Sequence, residues 1–291
     1  MPHTRYVIVS PMKNEEKYVA LTLQSVVSQT LLPVEWVIVN DGSTDRSREI
    51  VTRYAAAHNW IRILDVAGLG SRLPEHYGGH VVDLIDEGMR FLHSKDFDFL
   101  VKLDCDVSFT PEFFETILTA FDRNDRLGIC SGIAFAYLDG VFQEEKSAPS
   151  HTLGATKVYR RECFADIGGL VPNMGWDGID EVKARMQGWE AWPLRELIVT
   201  HHRPEGAASG LLASGVERGK GSYFMGYHPV FMMARVLRRI LRPRFFTDGI
   251  GMFVGYFSSL ARHDERIADP QFIRFLRQQQ LRKLLFLPSK V

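Results

Sequence analysis

Residues 99–106 constrain the fold of this chain most strongly, because an apolar run there ends in two carboxylates separated by one residue. Short apolar runs are typical of buried β-strands, and an aspartate pair at the end of one is costly unless a cation neutralises it. Side chains alternate along a strand, so Asp104 and Asp106 are expected on one side, with Cys105 turned away. So few hard oxygen ligands suit Mg²⁺ or Mn²⁺, which take further ligands from a substrate phosphate. Taken alone, the tripeptide is equally compatible with a solvated turn.

Two earlier segments show the same order of strand, polar loop and helix. Residues 6–10 and 35–39 are short β-branched runs, and each is followed by polar residues and then by helical periodicity. The second loop, residues 40–45, reads Asn-Asp-Gly-Ser-Thr-Asp, which favours a tight turn and then a helix cap. In an open parallel sheet such loops gather at the carboxyl edge, where ligands bind. Either loop by itself is also compatible with an ordinary strand-to-helix connection.

Taken together, these motifs resemble the family-2 glycosyltransferases of the A-type nucleotide-diphospho-sugar transferase fold. The matching segments are 7–11 with Asn14 and Glu15, 40–45, 104–106, 154–155, 159–161, 167–170 and 175–181. The resemblance implies an α/β, Rossmann-like fold with a mixed, mainly parallel sheet. It implies a nucleotide-sugar-binding catalytic domain over residues 1–210. A helical, basic and apolar C-terminal extension is expected over residues 211–291.

The resemblance also implies the residues that hold the sugar donor. The nucleotide-binding residues that it implies are Pro11, Asn14, Glu15, Asp41, Ser43 and Asp104. A carboxylate such as Asp41 can accept hydrogen bonds from a uracil imide or from ribose hydroxyls. Asp104 is implied near the ribose and the metal, and Asp106 as the direct ligand of Mg²⁺ or Mn²⁺, which neutralises the departing nucleoside diphosphate. The implied donor is a nucleoside-diphosphate sugar, with UDP or GDP as the nucleotide.

An inverting transfer further needs a carboxylate within hydrogen-bond reach of the acceptor hydroxyl. The family usually supplies the Asp of a Glu-Asp pair that opens a helix, and the Glu is replaced in this chain. Counting back from Gly188 selects Asp177, whereas matching the acidic doublet itself selects Asp180. We expect Asp177 to be the base and keep Asp180 as the alternative. Both aspartates are also interpretable as simple caps on a helix over residues 182–186.

Two histidines follow a further apolar run, and either His201 or His202 could complete the metal shell in the way implied by some A-type relatives. Consecutive strand residues point in opposite directions, so both cannot easily bind one ion. Loop hydrogen bonding is the alternative for each of them.

Elsewhere the chain departs from the family pattern or leaves a choice open. His80 stands where Lys is common, and Asp86 where Asn is common. Arg72 is a candidate phosphate contact that could compensate, and Arg160 or Arg161 is another. A solvated loop or turn is the alternative for each arginine.

The formal net charge of zero hides an asymmetry along the chain. From residue 215 onward there are 14 Lys and Arg against 5 Asp and Glu, whereas residues 1–214 carry 21 against 30. Residues 230–242 interleave Arg235, Arg238, Arg239 and Arg242 with large apolar side chains, and residues 249–261 carry no charge. The uncharged run is too short for a confident membrane span, so the pattern indicates peripheral contact with an anionic membrane. A packed helical appendage or dimer contact is the alternative, and without a recognised module or a basic pI no nucleic-acid binding is expected.

These observations predict metal-dependent, inverting transfer of a sugar to a saccharide or lipid-linked acceptor in envelope or exopolysaccharide biosynthesis. A non-catalytic nucleotide-sugar-binding or membrane scaffold protein is one alternative. A sugar nucleotidyltransferase is another, although the Gly-rich loop with Arg or Lys expected after its first strand is missing from residues 11–15. Three cysteines without metal spacing and the absence of a leader pattern predict a cytoplasmic location, peripheral at the inner face of the cell membrane.

Overall fold

A computed structural model describes residues 4–66, 77–138, 140–145, 148–203, 210–242 and 245–285. The predicted phosphate contact Arg72 lies outside these residues. The strands are β1 Tyr6–Met12, β2 Glu35–Asn40, β3 Ile61–Asp65, β4 Phe99–Leu103, β5 Val107–Ser108, β6 Leu127–Leu138, β7 Val141–Glu144, β8 Thr156–Arg160 and β9 Glu190–His201. The helices are α1 Val19–Val27, α2 Ser47–Ala57, α3 Tyr77–Phe91, α4 Phe113–Arg123, α5 Arg161–Asp166, α6 Trp176–Met186, α7 Leu211–Phe224, α8 Pro229–Ile240, α9 Phe246–Arg262 and α10 Pro270–Leu284.

The strands form one mixed sheet in the order β3-β2-β1-β4-β8-β6-β9-β5, with β7 paired to β6. Strands β3, β2, β1 and β4 are parallel, so their carboxyl ends share one edge. Strand β8 runs antiparallel between β4 and β6, and β9 runs parallel to β6. The α/β class with a mixed sheet is therefore confirmed, and the parallel half carries both polar loops that were predicted from the sequence.

Alternating side chains of the central strands divide the core between the two faces of the sheet. Ile8 and Trp36 pack on one face with residues of α1, α2 and α4, while Val9 and Val37 pack on the other with residues of α3, α5 and α6. Burial on both faces explains why every residue of β2 is buried. The polar groups that end these strands are thus held by a rigid, fully covered scaffold.

Helix α3 approaches the sheet closely because Gly88 faces it. A Cβ atom at Gly88 would lie 2.4 Å from Cγ1 of Val9 and 2.9 Å from Cγ2 of Val39. A larger residue would push α3 away from β1 and β2. At the other end of α3, His80 lies beside Asp41, the residue that follows β2.

The helices that follow residue 210 are packed together and against α6. Helices α7 and α9 cross at four glycines, whose added Cβ atoms would lie 2.1 to 2.3 Å from backbone oxygens of the other helix: Gly215, Gly219, Gly251 and Gly255. Phe272 and Leu276 of α10 pack with Ile179 and Val182 of α6. Within the described part of the chain, no helix has the length and apolar character needed to cross a membrane.

Candidate active site

The loops after β1 and β2 are tied together by two of the predicted nucleotide-binding residues. Asn14 adopts a positive φ of 55°, which presents its backbone N–H to Ser43 Oγ at 3.0 Å. Its side-chain Oδ1 accepts the backbone N–H of Thr44 at 2.8 Å. Pro11 lies within β1, in register with Val39 of β2. Asn14 and Ser43 therefore shape this corner of the sheet edge by binding each other's loops.

The second loop leads directly into α2, as the sequence pattern predicts. Helix α2 starts at Ser47. Asp45, the last residue of the loop, accepts the backbone N–H of Ser47 with its Oδ1 at 3.0 Å. Ser47 Oγ in turn accepts the backbone N–H of Glu15 at 2.6 Å. The start of α2 is thus joined to the loop after β1.

Asp41 follows β2 directly, and its side chain is only 1% exposed. Its Oδ2 accepts a hydrogen bond from Lys13 Nζ and lies the same 2.9 Å from His80 Nε2. Burial acts to raise the pKa of Asp41, but the hydrogen bonds from Lys13 and His80 outweigh that effect and lower it. The second oxygen, Oδ1, is buried without a hydrogen-bond partner. An ionised carboxylate with one unused oxygen is suited to accept an N–H or O–H from a ligand.

Glu15 offers a second buried oxygen of the same kind. Its Oε1 accepts a hydrogen bond from the Arg203 guanidinium, while its Oε2 is buried without a partner. Burial raises the pKa of Glu15 to about 7, against the opposing effect of Arg203. Arg203 follows β9 and lies 188 residues away in sequence. No pattern in the sequence indicated this contact.

The acidic triplet lies in a tight turn between β4 and β5 rather than on the strand, because β4 ends at Leu103. Asp104 donates its backbone N–H to the Ala155 carbonyl at 2.9 Å, and its Oδ1 accepts Lys102 Nζ at 2.6 Å. Burial raises the pKa of Asp104, and the Lys102 ammonium opposes the increase. Cys105 is buried in the core, so it is turned away from the edge as predicted.

Asp106 is buried among cationic groups. Its Oδ2 accepts Arg203 Nε at 3.1 Å and lies 3.7 Å from His201 Nε2. Burial acts to raise the pKa of Asp106, but His201 and Arg203 outweigh burial and lower it. His201 Nδ1 lies 2.7 Å from Glu145 Oε2. Burial acts against a charged imidazolium, but the carboxylates of Asp106 and Glu145 raise the pKa of His201 to about 10. His201 is thus held between the carboxylates of Asp106 and Glu145.

The two consecutive histidines point in different directions, as the alternation rule predicts. His202 Nε2 lies 2.8 Å from Ser108 Oγ, and its ring stacks on Tyr18 with ring centroids 6.0 Å apart. Its backbone N–H donates to the Asp106 carbonyl at 2.9 Å. Of this pair, His201 has its ring nitrogen near the Asp106 carboxylate, whereas the His202 ring bonds Ser108.

The candidate ligands of a divalent cation are the carboxylates of Asp104 and Asp106 and the His201 imidazole. Among the residues that the structure describes, no group of three or more His, Cys, Asp or Glu side chains is arranged to hold a metal ion by itself. Carboxylate oxygens are nevertheless the ligands that Mg²⁺ and Mn²⁺ prefer, and these ions commonly take further ligands from a bound phosphate. The residues present therefore fit a divalent cation as a partial shell.

Asp177 and Asp180 lie on the same helix in opposite environments. Helix α6 begins at Trp176 after Gly175, whose φ of 90° supplies the turn into the helix. Asp177 lies in the first turn with its side chain 35% exposed, whereas the Asp180 side chain is 0% exposed. Neither side chain caps α6, so the interpretation of both as simple caps is wrong.

Asp180 is held in a buried ion pair. Both of its oxygens lie within hydrogen-bond distance of Lys157 Nζ, at 3.0 and 2.9 Å, and its Oδ2 also accepts the Tyr159 hydroxyl. Burial acts against the charge on Lys157, but the carboxylates of Asp180 and Glu181 outweigh burial and raise the pKa of Lys157. Every polar atom of the Asp180 carboxylate is thus engaged inside the protein.

His151 connects Asp177 with Glu181. Its Nδ1 lies 2.9 Å from Glu181 Oε1, and its Nε2 lies 3.5 Å from Asp177 Oδ2. Burial acts against the imidazolium, but Glu181 and Asp177 raise the pKa of His151 to about 10. Burial acts to raise the pKa of both carboxylates, but the contacts with His151 oppose it. The pKa of Asp177 is lowered, and that of Glu181 is lowered to about 2. The spacing of four residues between Asp177 and Glu181 places them on one helix face, but no sequence signal identified His151.

Residues 154–155 join the two halves of the site. The Ala155 carbonyl accepts the backbone N–H of Asp104, and a Cβ atom on Gly154 would lie 3.4 Å from Asp177 Oδ2. Asp104 and Asp177 therefore flank the same short segment. This juxtaposition brings the acidic edge of the sheet together with the start of α6.

The arginines at the junction of β8 and α5 have a structural role. In the antiparallel register Arg160 lies opposite Phe99, at the end of β4 remote from Asp104. Its guanidinium donates to the Leu127 carbonyl at 3.0 Å and the Phe121 carbonyl at 2.8 Å. Arg161 lies over the ring of Phe97. The hypothesis that either arginine contacts a donor phosphate at the acidic edge is wrong.

Part of the chain is similar in sequence to known glycosyltransferases. Residues 7–71 match the model of the family described as Glycosyl transferase family 2. The chain is 26% identical over 155 residues to the uncharacterized glycosyltransferase YibD of Escherichia coli, covering 52% of this chain and 40% of that protein. It is 29% identical over 165 residues to the putative glycosyltransferase EpsH of Bacillus subtilis, covering 56% and 43%. The match thus spans less than half the length of these curated relatives.

Solved structures show the same fold at low sequence identity. The mannosyltransferase PcManGT from Pyrobaculum calidifontis, in complex with GDP-Man and Mn²⁺, has a TM-score of 0.56 at 15% identity and covers 99% of this chain and 77% of that one. TarS 1-349 of S. aureus in complex with UDP has a TM-score of 0.57 at 17% identity and covers 97% and 86%. The fold is therefore that of the A-type glycosyltransferases. The predicted resemblance to the family-2 glycosyltransferases is confirmed, with residues 7–71 as the segment that matches the family model.

Proposed function

We propose that this chain transfers a sugar from a nucleoside-diphosphate sugar to a hydroxyl acceptor, with inversion at the anomeric carbon and with Mg²⁺ or Mn²⁺ as cofactor. The observation that carries this proposal is the juxtaposition of an acidic strand edge with one accessible carboxylate on α6. Asp104 and Asp177 flank residues 154–155, as a donor site and an acceptor base must flank the reacting carbon. In this division of labour, residues 1–210 act as the nucleotide-sugar-binding catalytic domain and residues 211–291 as a helical extension.

The donor nucleotide is bound by the corner between β1 and β2. Oδ1 of Asp41 and Oε2 of Glu15 are buried acceptors without partners, and a base imide or ribose hydroxyls would satisfy them. Pro11, Asn14 and Ser43 form the wall and the loop contacts around these acceptors. We propose UDP or GDP as the nucleotide, and the related folds of TarS with UDP and PcManGT with GDP-Man support that choice.

The metal site comprises Asp106, with Asp104 and His201 as its neighbours; His202 bonds Ser108 instead. When bound, a divalent cation supplies positive charge that stabilises the departing nucleoside diphosphate. The protein's own contribution is to hold two carboxylates at the end of β4 in a turn fixed by Ala155. Mn²⁺ in the PcManGT complex supports this assignment.

Asp177 is the proposed general base. Its partly exposed carboxylate accepts a hydrogen bond from the acceptor hydroxyl and takes the proton as the new C–O bond forms and the bond from the anomeric carbon to the nucleoside diphosphate breaks. The lowered pKa of Asp177 keeps it ionised before the reaction, and His151 holds one of its oxygens in place. Asp180 is less suited to this role because Lys157 and Tyr159 engage its carboxylate in the interior.

The acceptor that we propose is a growing or lipid-linked saccharide in envelope or exopolysaccharide biosynthesis. The similarity to EpsH and the basic, apolar character of residues 230–262 support this choice. In this proposal the protein works in the cytoplasm at the inner face of the cell membrane. The accessible Asp177 favours catalysis over a non-catalytic scaffold. The loop at residues 11–15 lacks the Gly-rich pattern of a sugar nucleotidyltransferase.

A thermal-unfolding screen of UDP-, GDP- and dTDP-sugars, each with and without Mn²⁺, tests the donor assignment. One donor together with Mn²⁺ should stabilise the protein by about 2.7 kcal/mol at a concentration one hundred times its Kd. The matching nucleoside triphosphate serves as a comparison, because a nucleotidyltransferase would be stabilised by the triphosphate instead. Absence of any donor-dependent shift would contradict the proposed function.

A further inference from the structure

Helix α8 presents apolar side chains on two opposite faces. Met232 and Val236 are buried against Met252 and Tyr256 of α9. On the other side a stripe of large apolar residues is exposed: Val230, Met233, Leu237 and Leu241. Leu237 and Leu241 are 58% and 73% exposed. A helix on the surface of a soluble domain normally directs polar residues outward, so this second stripe needs an explanation.

Helix α9 continues the same feature. Its inner face contacts α7 and α8 through glycines and through Met252 and Tyr256. Its outer face exposes Phe246, Ile250, Phe253 and Val254. Ile240 at the end of α8 packs on Gly249 near the start of α9, so the helices are neighbours. We refer to the eight exposed residues of α8 and α9 as the α8–α9 apolar face.

The charges around this face have one sign. Residues 229–262 contain six arginines and one acidic residue, Asp248. Asp248 is buried and paired with Arg218 and Arg239, so it contributes no negative charge to the surface. Arg235, Arg238 and Arg242 are three and four residues apart and fall on one flank of the α8 stripe. Arg239 is partly buried and its guanidinium pairs with Asp248, so it is not part of this flank, although the sequence pattern grouped it with the other three.

We propose that the α8–α9 apolar face inserts into the surface of an anionic lipid bilayer. Apolar residues enter the boundary between headgroups and acyl chains, while the flanking arginines meet anionic headgroups. A second copy of this chain is a poorer occupant, because pairing two such faces would bring like-charged arginine flanks together. The proposal is for insertion at the bilayer surface; none of the described helices is long and apolar enough to span a membrane.

Helix α7, which packs on α9, also contacts the segment that precedes Asp177. A Cβ atom on Gly221 of α7 would lie 2.7 Å from the Met174 carbonyl, and one on Gly175 would lie 3.2 Å from Met225 Sδ. Residues 174–175 lead directly into α6 and Asp177. If the proposed function holds, docking on this face keeps the base beside a surface from which a lipid-linked acceptor can be offered.

Vesicle sedimentation tests the docking surface with matched variants. The apolar variant is Leu237→Ser, Leu241→Ser and Phe253→Ser, and the charge variant is Arg238→Gln and Arg242→Gln. The control is Tyr137→Ser and Val141→Ser, two residues of β6 and β7 that are also exposed. The vesicles contain phosphatidylcholine alone or with phosphatidylglycerol, and thermal unfolding verifies that each variant is folded.

The wild type and the control variant should sediment with phosphatidylglycerol vesicles. The apolar variant should lose at least about tenfold in apparent affinity for these vesicles, and the charge variant about thirtyfold. At high salt the charge variant and the wild type should bind equally, because salt screens the arginine contacts. A wild type that stays in solution, or an apolar variant that sediments like the wild type, would overturn the docking surface. The proposal would also be overturned if the wild type were a dimer that does not bind vesicles and the apolar variant were a monomer. Donor-dependent stabilisation, measured on the same samples, distinguishes failure of this surface from failure of the proposed function.

Discussion

Two aspartates three residues apart on α6 show how environment separates the roles of identical side chains. Asp177 is partly exposed and faces His151, whereas Asp180 is enclosed by Lys157 and Tyr159. A carboxylate that is both ionised and accessible can take a proton from a bound hydroxyl. A carboxylate that compensates a buried ammonium is required for stability instead. The two residues should therefore respond differently to the same substitution.

The substitution Asp177→Asn should cut kcat by roughly 10² to 10⁴ while leaving donor affinity nearly unchanged, because the side chain acts on the acceptor in the transition state. The matched change Asp180→Asn should cost about 3–5 kcal/mol of unfolding free energy, since it removes the closest counter-charge of the buried Lys157 ammonium. Steady-state kinetics and urea unfolding of both variants provide the measurement. A stable Asp180→Asn protein without turnover, beside an active Asp177→Asn protein, would reverse the two assignments.

His151 should make stability depend on alkaline pH. Its pKa is raised from 6.5 to about 10 in the folded protein, so its stabilising effect is complete below pH 6.5 and is lost as the pH rises through about 10. We expect His151→Gln to cost roughly 1–2 kcal/mol at pH 6.5 and much less at pH 10, after allowance for solvent screening. Urea unfolding of both proteins across this range measures the difference. A gap that stays constant with pH would contradict the charged contact with Asp177 and Glu181.

At the scale of elements, strands and amphipathic helices were predictable because their signals are local. The apolar runs at β1, β2 and β4 and the periodicity of α8 all correspond to elements of the fold. Boundaries were less predictable: β4 stops at Leu103, and α6 begins at Trp176, six residues before the predicted start. The glycine turn at residue 175 and the packing of Trp176 over Lys102 and Lys157 fix that early start. Tertiary contacts of this kind leave no periodic pattern in the sequence.

The α7–α9 contact should be the element pair most sensitive to added volume. A Cβ atom on Gly255 would lie 2.1 Å from the Val216 carbonyl oxygen, a backbone atom that cannot rotate away. We expect Gly255→Val to destabilise the protein by about 2–4 kcal/mol through overpacking. Ala261→Val, at an exposed position of the same helix, should cost less than about 1 kcal/mol. Equal thermal unfolding of the two variants would show that the helices do not meet at these glycines.

At the scale of the whole molecule, the candidate site is assembled from residues that are distant in sequence. The motif residues Asp41, Asp104 and Asp106 were identifiable because acidic side chains stand after apolar strands. Their partners His80, Lys102 and Arg203 could not be assigned in this way, since their contacts depend on the packing of α3, β4 and the end of β9. The fold class and the acidic edge were thus predictable, whereas the charge balance at the edge was not.

The charge asymmetry of the chain also has a spatial meaning. The acidic excess of residues 1–214 includes the carboxylates at the carboxyl edge of the sheet. The basic excess of the later residues includes the arginines beside the exposed apolar stripes of α8 and α9. A molecule polarised in this way can hold a cation and a diphosphate at one place and an anionic surface at another. The proposed sugar transfer uses the first property, and the proposed docking surface uses the second.

Calorimetric titration of UDP and GDP, with and without Mn²⁺, into the wild type and the Asp106→Asn variant tests the central claim most directly. Asp106→Asn preserves the size of the side chain but removes a charge that contacts Arg203 and His201, so thermal unfolding verifies that the variant is folded. Asp122→Asn on the exposed side of α4 serves as the matched control. We predict that Mn²⁺ tightens binding of one nucleotide at least about tenfold in the wild type and the control, and leaves its affinity unchanged in Asp106→Asn. Equal tightening by Mn²⁺ in all three proteins would contradict a metal-dependent donor site at this carboxylate.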